Sequence, residues 1–117
     1  MAILSTGPIE NNPVSGVRPA QLVTVRIINR SSTTAASVVI EGYYLTAIRN
    51  LYVSEVINIA PNAAVSREYF ADLDGYEFVV TTGEIMDADL GISVWGKQAD
   101  GQLVEAHRVV SHEVQIS

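Results

Sequence analysis

The chain has 117 residues, a formal net charge of -6, no cysteine and an apolar fraction of 48%. That length holds one core and one domain; disulfides and thiolate metal centres are excluded, and an acidic protein repels both nucleic acid and anionic membrane. No apolar run approaches the ~20 residues that span a bilayer, and the start MAILSTGPIENN lacks a basic segment before a hydrophobic one, so synthesis in the cytosol without a signal peptide is expected.

The chain opens with a short sticky strand, Ala2, Ile3, Leu4, Ser5 and Thr6. Turn formers and strand breakers follow it: Gly7, Pro8, Asn11, Asn12, Pro13 and Gly16 read as a hinge or spacer. The expected division is a connector arm over residues 1–17 and a packed domain over residues 18–117. An edge-seeking strand invites aggregation, so an arm kept at the chain's end either controls self-association or is a frayed tail. Seventeen extended residues reach about 55 Å, beyond the roughly 35 Å width of a globule of this size.

From Gln21 the pattern has period two, rich in β-branched and aromatic residues, and it predicts seven or eight strands. Val23, Val25 and Ile27 share one face; Leu51, Val53, Ile57 and Ile59 share another around Glu55. The same alternation puts Tyr76, Phe78 and Val80 together, then Leu90, Ile92 and Val94, then Val104, Ala106 and Val110. Turns are expected at Ser31–Thr34, Ala60-Pro61-Asn62, Asp72–Gly75 and Gly83–Asp89. Ala99-Asp100-Gly101-Gln102 reads as a hairpin with a two-residue turn. No segment shows a helical stripe, so the fold class is all-β, a single jelly-roll-like antiparallel sandwich with an extended N-terminal arm. Leu22 and Ile28 oppose Val23 and Ile27, and Trp95 opposes Val94; apolar groups on both faces are either scattered surface residues or buried against neighbouring subunits.

Little of the chain reads as chemistry. His107 and His112 are five apart, on opposite faces of a continuous strand, with no third ligand nearby. Asp72-Leu-Asp74-Gly75 and Asp87-Ala-Asp89 fail calcium-loop spacing and read as turns. There is no nucleophile elbow, no acid spaced to orient a histidine and no glycine-rich phosphate loop, so neither an enzyme nor a cofactor or metal site is expected. Tyr43, Tyr44, Tyr52, Tyr69, Phe70, Tyr76, Phe78 and Trp95 suit a core better than a sugar-binding platform. A monomeric carbohydrate-binding module is the alternative they leave. Charge is uneven: Arg18, Arg26, Arg30 and Arg49 come early, while Glu68, Asp72, Asp74, Glu77, Glu84, Asp87 and Asp89 crowd a later stretch, which would attract a second copy.

The arm can add a strand to a neighbour's sheet edge, with Ile3 or Leu4 filling pockets. Two buried aliphatic side chains offer about 1.5–3 kcal/mol each, against about 1–2 kcal/mol per residue for ordering the strand. The arm is therefore marginal alone, and a durable assembly needs direct contact between domains as well. Such a heterologous contact grows into a filament unless it closes into a ring.

With its arm and the strings QLVTVRIINRSS, IAPNAAVSREYF, YEFVVTT and ISVWGKQADGQLVEAHRVVS, the chain resembles the endospore appendage proteins over essentially its whole length, most closely the F-type subunit. The resemblance implies a jelly-roll subunit that extends residues 1–17 into the preceding subunit. It further implies a helical filament of identical subunits on the surface of bacterial endospores, with room for anchor or tip proteins. A non-fibrous coat or exosporium component using the same arm is a further alternative. Other appendage types carry connector cysteines that cross-link subunits; this chain has none.

Overall fold

A computed structural model describes residues 3–83, 90–100, 103–107 and 110–111, the last two stretches by backbone alone. The described residues form ten strands and no helix: β1 (Ile3–Ser5), β2 (Ile9–Glu10), β3 (Leu22–Asn29), β4 (Ala36–Leu45), β5 (Arg49–Ile59), β6 (Ala64–Phe70), β7 (Gly75–Thr82), β8 (Leu90–Lys97), β9 (Leu103–His107) and β10 (Val110–Ser111). They pair antiparallel in two sheets. One runs β10-β1-β7-β4-β5, with β2 also beside β7; the other runs β6-β3-β8-β9. The expected all-β antiparallel sandwich is thus what forms. β3 with β8 and β4 with β7 are nested pairs of the kind jelly rolls are built on, while β4–β5 and β8–β9 add hairpins.

The alternating pattern maps directly onto the core, because successive residues of a strand face opposite ways. Val23, Val25 and Ile27 of β3 pack with Val38 and Ile40 of β4, Ile57 and Ile59 of β5, Tyr76, Phe78 and Val80 of β7, and Leu90 and Val94 of β8. Tyr69 stacks on Phe78, with ring centroids 5.5 Å apart. Tyr52 and Tyr76 meet Phe78 edge-on, at 6.2 and 6.0 Å.

Leu51 departs from the expected face: it is 53% exposed. The cause is a bulge. Gly42 pairs with Val53 but Tyr43 pairs with Leu51, so Tyr52 is an extra residue in β5. Tyr52 and Val53 both pack against the core, and the alternation beyond them is reversed, sending Leu51 outward. Of the expected Ala99-Asp100-Gly101-Gln102 turn, Gly101 and Gln102 lie outside the described residues; among the described residues the flanking strands pair as far as Lys97 with Leu103. The Ala99 N–H donates to Gln21 Oε1 at 2.7 Å and the Gln98 amide donates to the Pro19 carbonyl, holding residues 98 and 99 to the lead-in of β3.

β5 and β6, at the ends of their sheets, are bridged by side chains. Glu55 accepts from Arg67 at 2.9 Å and from the Tyr69 hydroxyl at 2.7 Å, and the Tyr52 hydroxyl donates to the Phe70 carbonyl. Burial pushes the Tyr52 phenol up to about 12; burial, then the bond to Glu55, raises Tyr69 as well. Both folded values lie above the ordinary 10.0, so the stability these groups contribute is complete below pH 10.0 and is lost as pH rises through the folded values. Phenolate absorbance followed alongside circular dichroism should show Tyr52 and Tyr69 ionising only as the sheet signal falls. Ionisation of both near pH 10, with the sheet signal intact, contradicts this placement.

Candidate functional site at the N-terminal strand

β1 lies inside its sheet. Ile3, Leu4 and Ser5 pair with Thr81, Val80 and Val79 of β7 on one side, and Leu4 and Ser5 pair with Ser111 and Val110 of β10 on the other. Facing residues share a side of the sheet, so Leu4 sits with the core residue Val80 while Ile3 and Ser5 take the outer side. Ser5 is nonetheless only 3% exposed. Its hydroxyl donates to Glu77 Oε2 at 2.6 Å and accepts the Gly7 N–H at 2.8 Å. Glu77 also accepts from Arg49 Nε at 2.9 Å, and that guanidinium lies 3.6 Å from the centroid of the Tyr43 ring. Thr6 closes the strand: its N–H donates to the Phe78 carbonyl, and its Oγ1 accepts the Phe78 N–H. Gly7 follows at φ +68°, a conformation glycine adopts without strain.

In the lone chain, then, Ile3, Leu4, Ser5 and Thr6 dock on their own body; Ala2 lies outside the described residues. The spacer divides differently from expectation. Ile9 and Glu10 pair with Tyr76 and Gly75 of β7. Asn11 is no spacer: 2% exposed, it donates through Nδ2 to the Ala20, Ala71 and Leu73 carbonyls and accepts the Ala20 N–H. Residues 3–11 thus belong to the sandwich, and only residues 12–17 stand apart. There Ser15 (φ 55°) and Gly16 (φ 84°) form a tight turn closed by reciprocal bonds between Val14 and Val17. Gly7 and Gly16 take positive φ, and Pro8, Asn12 and Pro13 are exposed.

The charge contrast expected to attract a second copy is in part satisfied within the chain. Arg18 bridges Asp72 and Asp74 at 3.1 and 2.8 Å, Arg49 pairs with Glu77, Arg67 with Glu55, and Lys97 with Glu68. The bonds to Asp74, then to Asp72, raise the pKa of Arg18. Among the described residues no three His, Cys, Asp or Glu side chains gather to hold a metal. His107 sits in β9 opposite Val94; Glu84, Asp87, Asp89 and His112 lie outside the described residues. Trp95 pairs with Thr24 on the outer side of the second sheet, with no ring stacked on it among the described residues.

One feature was invisible in the sequence. Of the seven large apolar residues most exposed in the described chain, Val14, Val17, Tyr44, Ile48, Leu51 and Phe70 gather toward the end that carries the β4–β5 turn, while Val56 alone lies farther along. The opposite end carries the polar segment Ser31-Ser32-Thr33-Thr34. Beside the apolar end, Pro8, Ile9, Glu10, Leu45 and Gly75 line a cleft of about 400 Å³ between the arm and the turn.

No family model matches the sequence, and no curated protein matches it. Two solved structures share the fold. The sensory rhodopsin transducer of Anabaena superposes with a TM-score of 0.52 at 12% identity, over 80% of this chain and 85% of that one. Thermotoga maritima protein 1070 gives 0.51 at 9% identity, over 95% of this chain and 90% of its own. At such identities the likeness is one of architecture, and the chain is similar to both as a β-sandwich of the same general plan.

Proposed function

We propose that this protein is a structural, non-enzymatic subunit that assembles with its own copies by exchanging β1. The strand of one molecule takes the place of the same strand in the next, joining copies head to tail. The observation that carries the reading is the position of β1: a three-residue strand at the chain's start, inserted between β7 and β10, with a positive-φ glycine two residues after it as the swivel. A slot that accepts the strand at home offers a neighbour's strand the same ladder and the same place for Leu4. Exchange is therefore nearly neutral in its own interactions, and the balance is set elsewhere.

Two terms decide it. A tethered strand has a high effective concentration at its own slot, which keeps it at home in a dilute chain. Apolar burial that occurs only between copies favours exchange, and the apolar end supplies it; because apolar and polar ends differ, the junction propagates in one direction. With Ile9 and Asn11 fixed to the body, the movable segment is residues 1–8, with a reach of about 26 Å. That suffices for an abutting copy, against a body measuring 49 × 36 × 20 Å. The resemblance to endospore appendage subunits supports a fibre on a spore surface.

Purified protein at rising concentration should show filaments under negative stain. Deleting residues 2–6 should abolish them and leave a folded monomer by circular dichroism and sizing. A peptide of residues 1–8 should bind the truncated variant in its vacated slot. Filaments persisting in the truncated variant, or wild-type protein that stays monomeric at every concentration, overturn the proposal.

A further inference from the structure

The chain has seven basic side chains, six of them among the described residues. Four are committed: Arg18, Arg49, Arg67 and Lys97 each hold a carboxylate. Arg26 and Arg30 hold none among the described residues, and both are exposed. They also line the same cleft, about 310 Å³, together with Ile28, Gly91, Ile92 and Ser93. In a protein of net charge -6, two arginines on one cleft with no carboxylate partner among the described residues stand out.

The local build explains how they come together. Residues 26, 28 and 30 lie on the same side of the chain at and just past the end of β3. Across the ladder, Arg26 faces Ser93 and Ile28 faces Gly91. A Cβ on Gly91 would stand 2.8 Å from Arg30 Nη2 and 2.9 Å from Ile28 Cγ1. The missing side chain is therefore what lets the Arg30 guanidinium lie against the backbone of β8. The result is a cleft with Ile28 between Arg26 and Arg30 and with Ser93 across the ladder from Arg26.

We propose that this cleft binds the phosphate group of a small organic phosphate monoester. Guanidinium forks match phosphate oxygens in pairs, and two positive charges balance a dianion. Ser93 offers a hydroxyl to a third oxygen. Ile28 supplies apolar contact for the organic part, and the volume sits at the small end of ligand sites, about 300 to 1,000 Å³. This site is on the second sheet, distinct from the β1 slot, and does not depend on strand exchange.

The test titrates the full chain with phenyl phosphate and inorganic phosphate at constant ionic strength, following arginine Nε–H resonances. Saturable shifts of two arginine signals are expected, with phenyl phosphate binding the more tightly. Arg26→Gln and Arg30→Gln should each weaken phenyl phosphate by about tenfold or more, without altering the melting temperature, because neither side chain packs in the core. Gly91→Ala should weaken it similarly by displacing Arg30. Absence of a saturable shift overturns the proposal, as does binding that survives both arginine substitutions. Equal affinity for the two probes overturns the assignment of Ile28 as the apolar contact.

Discussion

Replacing Asn11 by alanine is expected to cost about 2–4 kcal/mol of folding stability, a large effect for a residue in a Gly/Pro-rich lead-in. The amide has two hydrogens for three carbonyl oxygens, those of Ala20, Ala71 and Leu73 at 2.7, 3.0 and 2.9 Å, and its own oxygen accepts the Ala20 N–H at 2.9 Å. Alanine removes all four bonds; the Ala71 carbonyl keeps the Leu73 N–H, while the Ala20 N–H and the Ala20 and Leu73 carbonyls lose this partner. Each buried polar group left without one costs about 1–3 kcal/mol, and water entering at the end of the sandwich offsets part of the sum. Aspartate in the same place keeps the acceptor, loses both donors and points a negative charge at three carbonyls, so Asn11→Asp should be at least as damaging. The neighbouring Asn12 is exposed, bonding only Glu10 at 3.4 Å among the described residues, and Asn12→Ala should stay within about 0.5 kcal/mol of wild type. Urea unfolding of the three variants checks this. An Asn11→Ala variant as stable as Asn12→Ala would mean that the arm is joined to the body farther along than Asn11.

How legible these features were depends on the distance to the partner that gives each its meaning. Val23, Val25 and Ile27, or Tyr76, Phe78 and Val80, could be read because strand alternation is local and one face is dry. Leu51 could not, because the bulge that turns it outward is decided by Gly42 and Val53 on two strands. Asn11 carries the same local signature whether it shapes a turn or ties a buried knot. What separates the cases is carbonyls 9, 60 and 62 residues away. Asn29 repeats the lesson at the other end of β3, where its buried amide donates to the Thr34 and Ile59 carbonyls. Part of the uneven charge run is spoken for in the same way: Arg18 meets Asp72 and Asp74, 54 and 56 residues on, inside one molecule. The arm was legible as a strand, whereas its slot was not, since β7 and β10 become neighbours only through the fold.

The second large effect is expected at Gly42, where Gly42→Val should cost about 2–3 kcal/mol. A Cβ there would stand 2.7 Å from Phe78 Cε2 and 3.0 Å from the Val53 Cβ, both closer than side chains tolerate. Phe78 has little room to yield. It is 1% exposed and has Tyr52, Tyr69 and Tyr76 against it, so any shift of its ring disturbs three others. Gly42→Ala should cost less, about 1–2 kcal/mol, and its cost should depend on the ring it meets. In the double variant Gly42→Ala with Phe78→Leu, the new methyl moves into space the smaller side chain vacates. The two changes should then cost less together than the sum of each alone, by about 0.5 kcal/mol or more. Strictly additive costs in thermal or urea unfolding would show that the methyl is accommodated by backbone movement instead. The outcome bears on assembly as well as stability. Gly42 is the last residue in register before the bulge, and the bulge is what turns Leu51 out toward the apolar end. A variant that relaxes the bulge to keep Phe78 in place would return Leu51 to the core side and remove one of the side chains that the proposed junction between copies would bury.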